Sequence, residues 1–168
     1  MTAIDDADRA PDDIDDLLAR PGHLIRRLHQ IAVSIFFDEI DGQQLTPVQY
    51  AAMVAIRARP GIDQAGLSRA IAFDRSTIGG VIDRLEHKGY VERRLSHSDR
   101  RTRQLFLKPD GDALLSRLSD AVDQAQTRLL APLSKDESQK LMAMLRRLVD
   151  ANNDLSRSPV IGTKTRGE

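Results

Sequence analysis

LEHKGYVERRLSHSDRRTRQLFLKPDG, residues 85–111, holds in one run the end of a helix, a strand–turn–strand and the start of another helix. Gly89 stands where a helix running from Asp74 to Lys88 needs a left-handed residue to stop. Tyr90–Leu95 and Thr102–Leu107 are two short extended runs. Val91, Arg93 and Leu95 share one face of the first, and Leu105 and Leu107 alternate in the second. The polar connection 96–101, Ser-His-Ser-Asp-Arg-Arg, predicts a β-hairpin with a charged tip. After Pro109-Asp110-Gly111 the spacing turns helical again.

Outward from this stretch the apolar residues fall at helical intervals. Upstream, Asp63 can cap a short helix ending near Ile71, a tight turn follows at Ala72 and Phe73, and Asp74 caps the helix that leads into the hairpin. Thr46-Pro47-Val48-Gln49 combines an N-cap threonine, a proline at the first helical position and a glutamine at the third, opening a helix that runs to about Arg59 before Pro60-Gly61 breaks it. Leu24, Leu28, Ile31 and Ile35 make an apolar stripe on a helix from His23 to Ile40. Downstream, Leu114, Leu118, Ala121, Ala125 and Leu129 mark a long helix ended by Pro132. Ser134-Lys135-Asp136-Glu137 then repeats the capping box ahead of Leu141, Leu145 and Leu148. The expectation is a mainly α fold with a small β-hairpin wing, in one domain over residues 21–152. Residues 1–20 are expected as an acidic flexible tail and 153–168 as a second flexible tail.

Composition bounds the function. The chain has 168 residues, is 40% hydrophobic and 30% charged, and carries no net charge, which suits one compact core. It has no cysteine, so disulfides, thiolate nucleophiles, thiol redox sensing and Cys-based metal sites are excluded. The longest uncharged stretch, Gly42 to Ile56, is too short and too rich in Gln and Thr to span a bilayer. The beginning MTAIDDADRA is acidic where a secretory signal is basic, which predicts a cytoplasmic protein without a membrane partner. Neutrality conceals segregation: residues 1–20 hold seven acids against two arginines, while residues 74–108 hold nine cations, seven of them arginine, against five acids. Arginine suits phosphates and guanine edges.

A capped helix dense in Arg, Ser and Thr at its start, followed by an arginine-tipped ribbon, fits a helix in the major groove with a hairpin reaching the minor groove beside it, a winged helix-turn-helix. Residues 85–111 resemble the recognition-helix end and wing of the MarR (multiple antibiotic resistance regulator) family. The most specific match is Asp, any residue, Arg, three residues, apolar, any residue, Leu, met by Asp99, Arg101, Leu105 and Leu107; Lys108 departs from the Thr or Ser usual next. The resemblance extends over about Leu24 to Val149 and places the winged helix at about 46–108, with dimerisation helices at about 22–41 and 109–152. It implies a homodimer set on an inverted-repeat operator in double-stranded DNA. The apolar stripes of the first helix and the last two agree, since a small lobe leaves them little to pack on; a monomeric bundle core is the alternative.

The expected DNA contacts are Arg75, Ser76, Thr77 and Arg84 on the capped helix and Arg93, Arg94, Arg100 and Arg103 on the hairpin. By the resemblance, Arg101 enters the minor groove and Asp99 orients it. Gly79 and Gly80 cost about 1 kcal/mol each inside a helix, which calls for a compensating close approach by DNA or by the preceding helix. For each of these cations the plainer account is a solvated surface.

An effector is expected as well. Phe36, Phe37 and Tyr50 fall on the first two helices, preceded by Arg26, Arg27 and His29, which offers cations to an anion at the mouth of an apolar cleft; ordinary core is the alternative for the aromatics. HLIRRLHQIAVSIF, residues 23–36, resembles family members that control aromatic-acid catabolism, implying an aromatic carboxylate or its coenzyme A thioester. A repressor released by such a ligand is the leading function, and a winged-helix protein-interaction module without ligand response is the alternative. An enzyme is not expected. Ser96-His97-Ser98-Asp99 lie side by side in an extended tip and cannot converge as a triad. No Gly-rich phosphate loop or metal-ligand spacing appears, so no catalytic residue, cofactor or metal is expected.

Overall fold

The computed structural model describes residues 14–95, 102–156 and 159–160. Its elements are α1 (Ile14–Ala19), α2 (Pro21–Glu39), α3 (Pro47–Ala58), β1 (Ile62–Asp63), α4 (Gln64–Ala70), α5 (Arg75–His87), β2 (Val91–Leu95), β3 (Arg103–Leu107), α6 (Pro109–Leu130) and α7 (Lys135–Ala151). The architecture is mainly α with a small antiparallel sheet of order β1-β3-β2.

Local chemistry sets most boundaries. The Thr46 hydroxyl accepts from the Gln49 amide at 3.3 Å while the Gln49 side chain accepts from the Thr46 amide at 3.0 Å. At α7 the Glu137 carboxylate accepts from the Ser134 amide at 2.8 Å and the Ser134 hydroxyl accepts from the Glu137 amide at 3.4 Å. Asp63 accepts from the Gly66 amide at 2.6 Å and Asp74 from the Ser76 amide at 2.7 Å. Each removes an orphan donor of a first turn. Gly89, at φ +75°, ends α5 in the left-handed region, where a residue without a Cβ is unstrained.

The core lies inside the winged lobe. Met53, Ile56, Leu67, Ile78, Ile82, Leu85, Val91, Leu105, Leu114 and Leu115 are buried, and Phe36, Ile40 and Leu45 carry it to the end of α2. Arg128 of α6 pairs with Asp38 and Glu39 at 3.3 and 3.0 Å, binding the long helix to α2. Buried Ser68 donates to the Phe73 carbonyl at 2.6 Å, holding the α4–α5 turn closed.

Four details differ from the sequence expectations. Ile14–Ala19 is helical although it falls in the segment expected as flexible tail. Asn153–Leu155 form a 3-10 turn in the other expected tail, and the Asn153 side chain makes two hydrogen bonds to the Val160 backbone. β1, only two residues long, gives no alternation to detect; it exists because Ile62 and Asp63 pair with Leu105 and Gln104. The alternative of a bundle core within one chain is met only in part, at α6, whose Leu114, Leu118 and Ala125 are buried. α7 contributes no buried residue, and Leu24, Ile25, Leu28 and Ile31 of α2 are 42–57% exposed.

Gly111 is a necessity of packing rather than a loop signal. It is buried in the first turn of α6, and a Cβ there would stand 2.4 Å from the Tyr90 carbonyl oxygen. Backbone cannot yield as a side-chain end can, so Gly111→Ala is expected to destabilise the fold by about 1–3 kcal/mol. Gly80, whose Cβ position has only the Arg84 guanidinium at 3.9 Å, is expected to respond oppositely, Gly80→Ala gaining up to about 1 kcal/mol of helix propensity. Urea unfolding of both variants at one protein concentration checks the pair.

Candidate nucleic-acid interface

α5 is fixed in rotation by its inner side. Ile78, Val81, Ile82 and Leu85 are 0–2% exposed, so the opposite side, Arg75, Ser76, Thr77, Asp83 and Arg84, faces solvent. Ser76, Gly80 and Arg84 succeed one another at intervals of four and form one outward stripe. The Asp74 carboxylate caps this helix and also accepts from the Ser76 hydroxyl at 2.6 Å; the Thr77 hydroxyl donates to the Asp74 carbonyl at 3.1 Å. Both hydroxyls thus spend their protons locally and present oxygen lone pairs outward. The expected compensation for the glycines is partly found: a Cβ on Gly79 would meet the Gln64 amide at 3.3 Å, whereas one on Gly80 would meet only the Arg84 guanidinium, at 3.9 Å.

Arg75, at the start of α5, and Arg103, at the root of β3, line one cleft of about 310 Å³ with Asp63, Gln64, Ala65 and Thr102. Neither they nor Arg84 pair with an acid among the described residues. The bare guanidinium groups of Arg75 and Arg103 beside the N-terminus of α5, with Arg84 in its last turn, make a surface suited to anions. Arg94 adds to it from β2: its guanidinium stacks 4.5 Å above the Phe106 ring, is paired with Glu92, and its side chain remains 60% exposed. Sequence reasoning missed Gln64 and Phe106, which become part of the surface only through the folding of α4 and β3 against α5 and β2.

Arg93 is the expected phosphate contact that the structure engages within the fold. It turns back onto α5, where one guanidinium nitrogen binds Asp83 and another binds Glu86, and its side chain is 16% exposed. Burial opposes its charge, but the hydrogen bonds and charges of Asp83 and Glu86 outweigh that and raise its pKa above the usual arginine value. Asp99, Arg100 and Arg101 lie outside the described residues.

The expected effector residues fall into two groups. Phe36 packs edge-on against Phe37 and Tyr50, with centroids 6.0 and 6.1 Å away; Phe36 is buried and Phe37 is 44% exposed. Arg26 lines a separate groove of about 730 Å³ with Leu18, His23, Leu24, Arg27, Leu28 and Ile31. At 1.5 Å per residue Arg26 stands about 15 Å from Phe36 along α2. His29 lies between them, two turns before Phe36 on the same face, and is exposed. Among the described residues no cluster of His, Asp or Glu is arranged to hold a metal, and no helix is long and apolar enough to cross a membrane.

A capped helix displaying bare arginines, flanked by a short helix and a two-stranded wing, defines a winged-helix DNA-binding protein. The MarR family model matches residues 45–102, from the residue before the α3 cap to the residue before β3. The transcriptional regulator HosA of Escherichia coli is 30% identical over 129 residues, which are 77% of this chain and 94% of HosA. Among solved structures, PcaV of Streptomyces coelicolor in complex with its natural ligand is 32% identical, with TM-score 0.74 over 90% of this chain and 99% of PcaV. BpsR of Bordetella bronchiseptica, whose DNA binding is regulated by 6-hydroxynicotinic acid, is 28% identical, with TM-score 0.76 over 84% of this chain and 99% of BpsR. The chain belongs to the MarR family of transcriptional regulators. Dimeric assembly is typical of the family, and a single chain leaves apolar stripes exposed on α2 and α7.

Arg75→Ala and Arg103→Ala are each expected to reduce the slope of log K against log salt by about one, the loss of one neutralised phosphate, and to weaken all DNA sequences alike. Titration at several salt concentrations measures both.

Proposed function

We propose that this protein is a repressor that occupies an inverted-repeat operator as a homodimer and releases it on binding an aromatic carboxylate or the coenzyme A thioester of one. The observation that carries the reading is the set of arginines at Arg75, Arg84 and Arg103, exposed on one side of the lobe and without acid partners among the described residues. α5 enters the major groove with Arg75, Ser76, Thr77 and Arg84, while the hairpin brings Arg94, Arg100 and Arg101 to the backbone and minor groove, Asp99 orienting Arg101. Gly80 lets the groove wall approach the helix backbone without obstruction.

Release follows from geometry. Two lobes meet successive major grooves only at one spacing, and a ligand seated between α2 and the winged lobe favours another. BpsR, regulated by 6-hydroxynicotinic acid, supports an aromatic acid as the effector class. The separation of about 15 Å between Arg26 and Phe36 along α2 refines the choice. A lone benzoate engages either the aromatic cluster or the cationic groove. A coenzyme A thioester, with its ring far from its phosphates, reaches both, the ring against Phe36, Phe37 and Tyr50 and the phosphates towards His29 and Arg26.

Arg101→Ala is expected to cost about 1–3 kcal/mol of operator affinity with the fold intact. Footprinting is expected to reveal two half-sites about one helical turn apart; unchanged affinity or a single half-site contradicts the reading. Calorimetry with benzoic and hydroxycinnamic acids and their coenzyme A thioesters is expected to give heat for at least one, weakened by operator DNA by the factor with which the ligand weakens DNA binding. Silence across the panel removes the effector class and leaves the DNA binding standing.

A further inference from the structure

We propose that Arg93 is a positioning residue for DNA recognition, which sets the wing against α5 through Asp83 and Glu86 and does not itself contact DNA. The proposal rests on the DNA-binding reading above and deepens it.

Arg93 and Arg94 are neighbours on one strand, yet the pleat sends them to opposite faces. Arg94 pairs across the sheet with Gln104 and reaches solvent, whereas Arg93 pairs with Leu105, itself 1% exposed, so its stem leaves the sheet on the core side. There it meets α5. Asp83 and Glu86 are three residues apart on that helix and therefore share a face. The guanidinium spans them with two different nitrogens, Nη1 to Glu86 and Nη2 to Asp83. The Arg93 backbone amide also donates to Glu86 at 3.3 Å, so Glu86 holds both the strand and its side chain. A planar fork can grip two carboxylates in fixed directions; an ammonium, a single point of charge, cannot hold both with the same geometry.

The clamp lies where a change of angle matters. α5 and the wing read different grooves, and engaging both needs one orientation between them. The Glu86–Arg93 contact joins the last turn of the reading helix to the root of the wing, so its loss lets the wing swing about the Lys88–Tyr90 turn. The clamp also neutralises the two acids that flank Arg84, which would otherwise repel phosphate. Misorientation should lower affinity for the chosen sequence, which requires both grooves, and spare the general attraction to phosphates, which does not.

The test uses full-length protein and a duplex that it selects from a random-sequence pool, with a scrambled duplex of equal length. Arg93→Lys keeps the charge and loses the fork. It is expected to bind the selected duplex about tenfold more weakly, with the scrambled duplex, the salt slope and the thermal midpoint unchanged. Glu86→Gln is expected to act in the same direction, and Arg93→Lys with Glu86→Gln is expected to be no worse than Arg93→Lys alone, since both cut one linkage. Arg94→Ala supplies the comparison for a phosphate contact, a slope lower by about one. Wild-type affinity in Arg93→Lys, a slope lowered as in Arg94→Ala, additive losses, or a loss that tracks unfolding each overturns the proposal while leaving DNA binding in place. A wild-type protein that selects no duplex overturns the DNA-binding reading and the proposal together.

Discussion

Burial of the inner face of α5 is the constraint on which the rest of the molecule depends. Ile78, Val81, Ile82 and Leu85 sink into the core where α5 packs against α3, α4 and β2, and their near-complete exclusion from water is worth roughly 1.5–3 kcal/mol for each large side chain. A helix seated on four such residues cannot rotate about its axis without exposing one of them. The outer face is thereby determined: Arg75, Ser76, Gly80 and Arg84 look outward because the others look inward. The turn that precedes α5 is held by Ser68, the turn that follows by Gly89, and the wing then begins in contact with the helix it accompanies.

On this scaffold the arginines divide into two kinds. Arg93 and Arg128 are occupied within the fold, one joining β2 to α5 and the other joining α6 to α2. Arg75, Arg84 and Arg103 have no acid partner among the described residues, and Arg94, though paired with Glu92, remains mostly in solvent. The chain is neutral as a whole, so its attraction for a polyanion comes from where the charges stand and not from their sum. An internally paired arginine adds little to that field, while a bare one at a helix start adds its full charge to the partial charge of the helix terminus.

The flanking helices show the opposite imbalance. α2 and α7 carry apolar stripes that the single chain does not cover, and α1 adds Ile14, Leu17 and Leu18, each 45–61% exposed. Apolar surface on this scale marks an interface, and dimeric assembly is typical of the family. The same surface borders the groove holding Arg26 and Arg27.

Features legible in the sequence are those decided within a few residues. The capping boxes at Thr46 and Ser134, the caps at Asp63 and Asp74 and the left-handed stop at Gly89 depend on contacts two or three positions apart, so residue type and spacing were sufficient. The wing was legible for the same reason, as two alternating runs around a polar turn. The tertiary structure decided what depends on distant partners. β1 exists because a strand some forty residues later supplies its hydrogen bonds, and Gly111 is required because the Tyr90 carbonyl closes on it. Arg93 and Arg94 are identical and adjacent in the sequence. Only the pleat of β2 and the two carboxylates of α5 make one of them a clamp and the other a surface cation, because charge is a property of a residue but its pairing is a property of the fold.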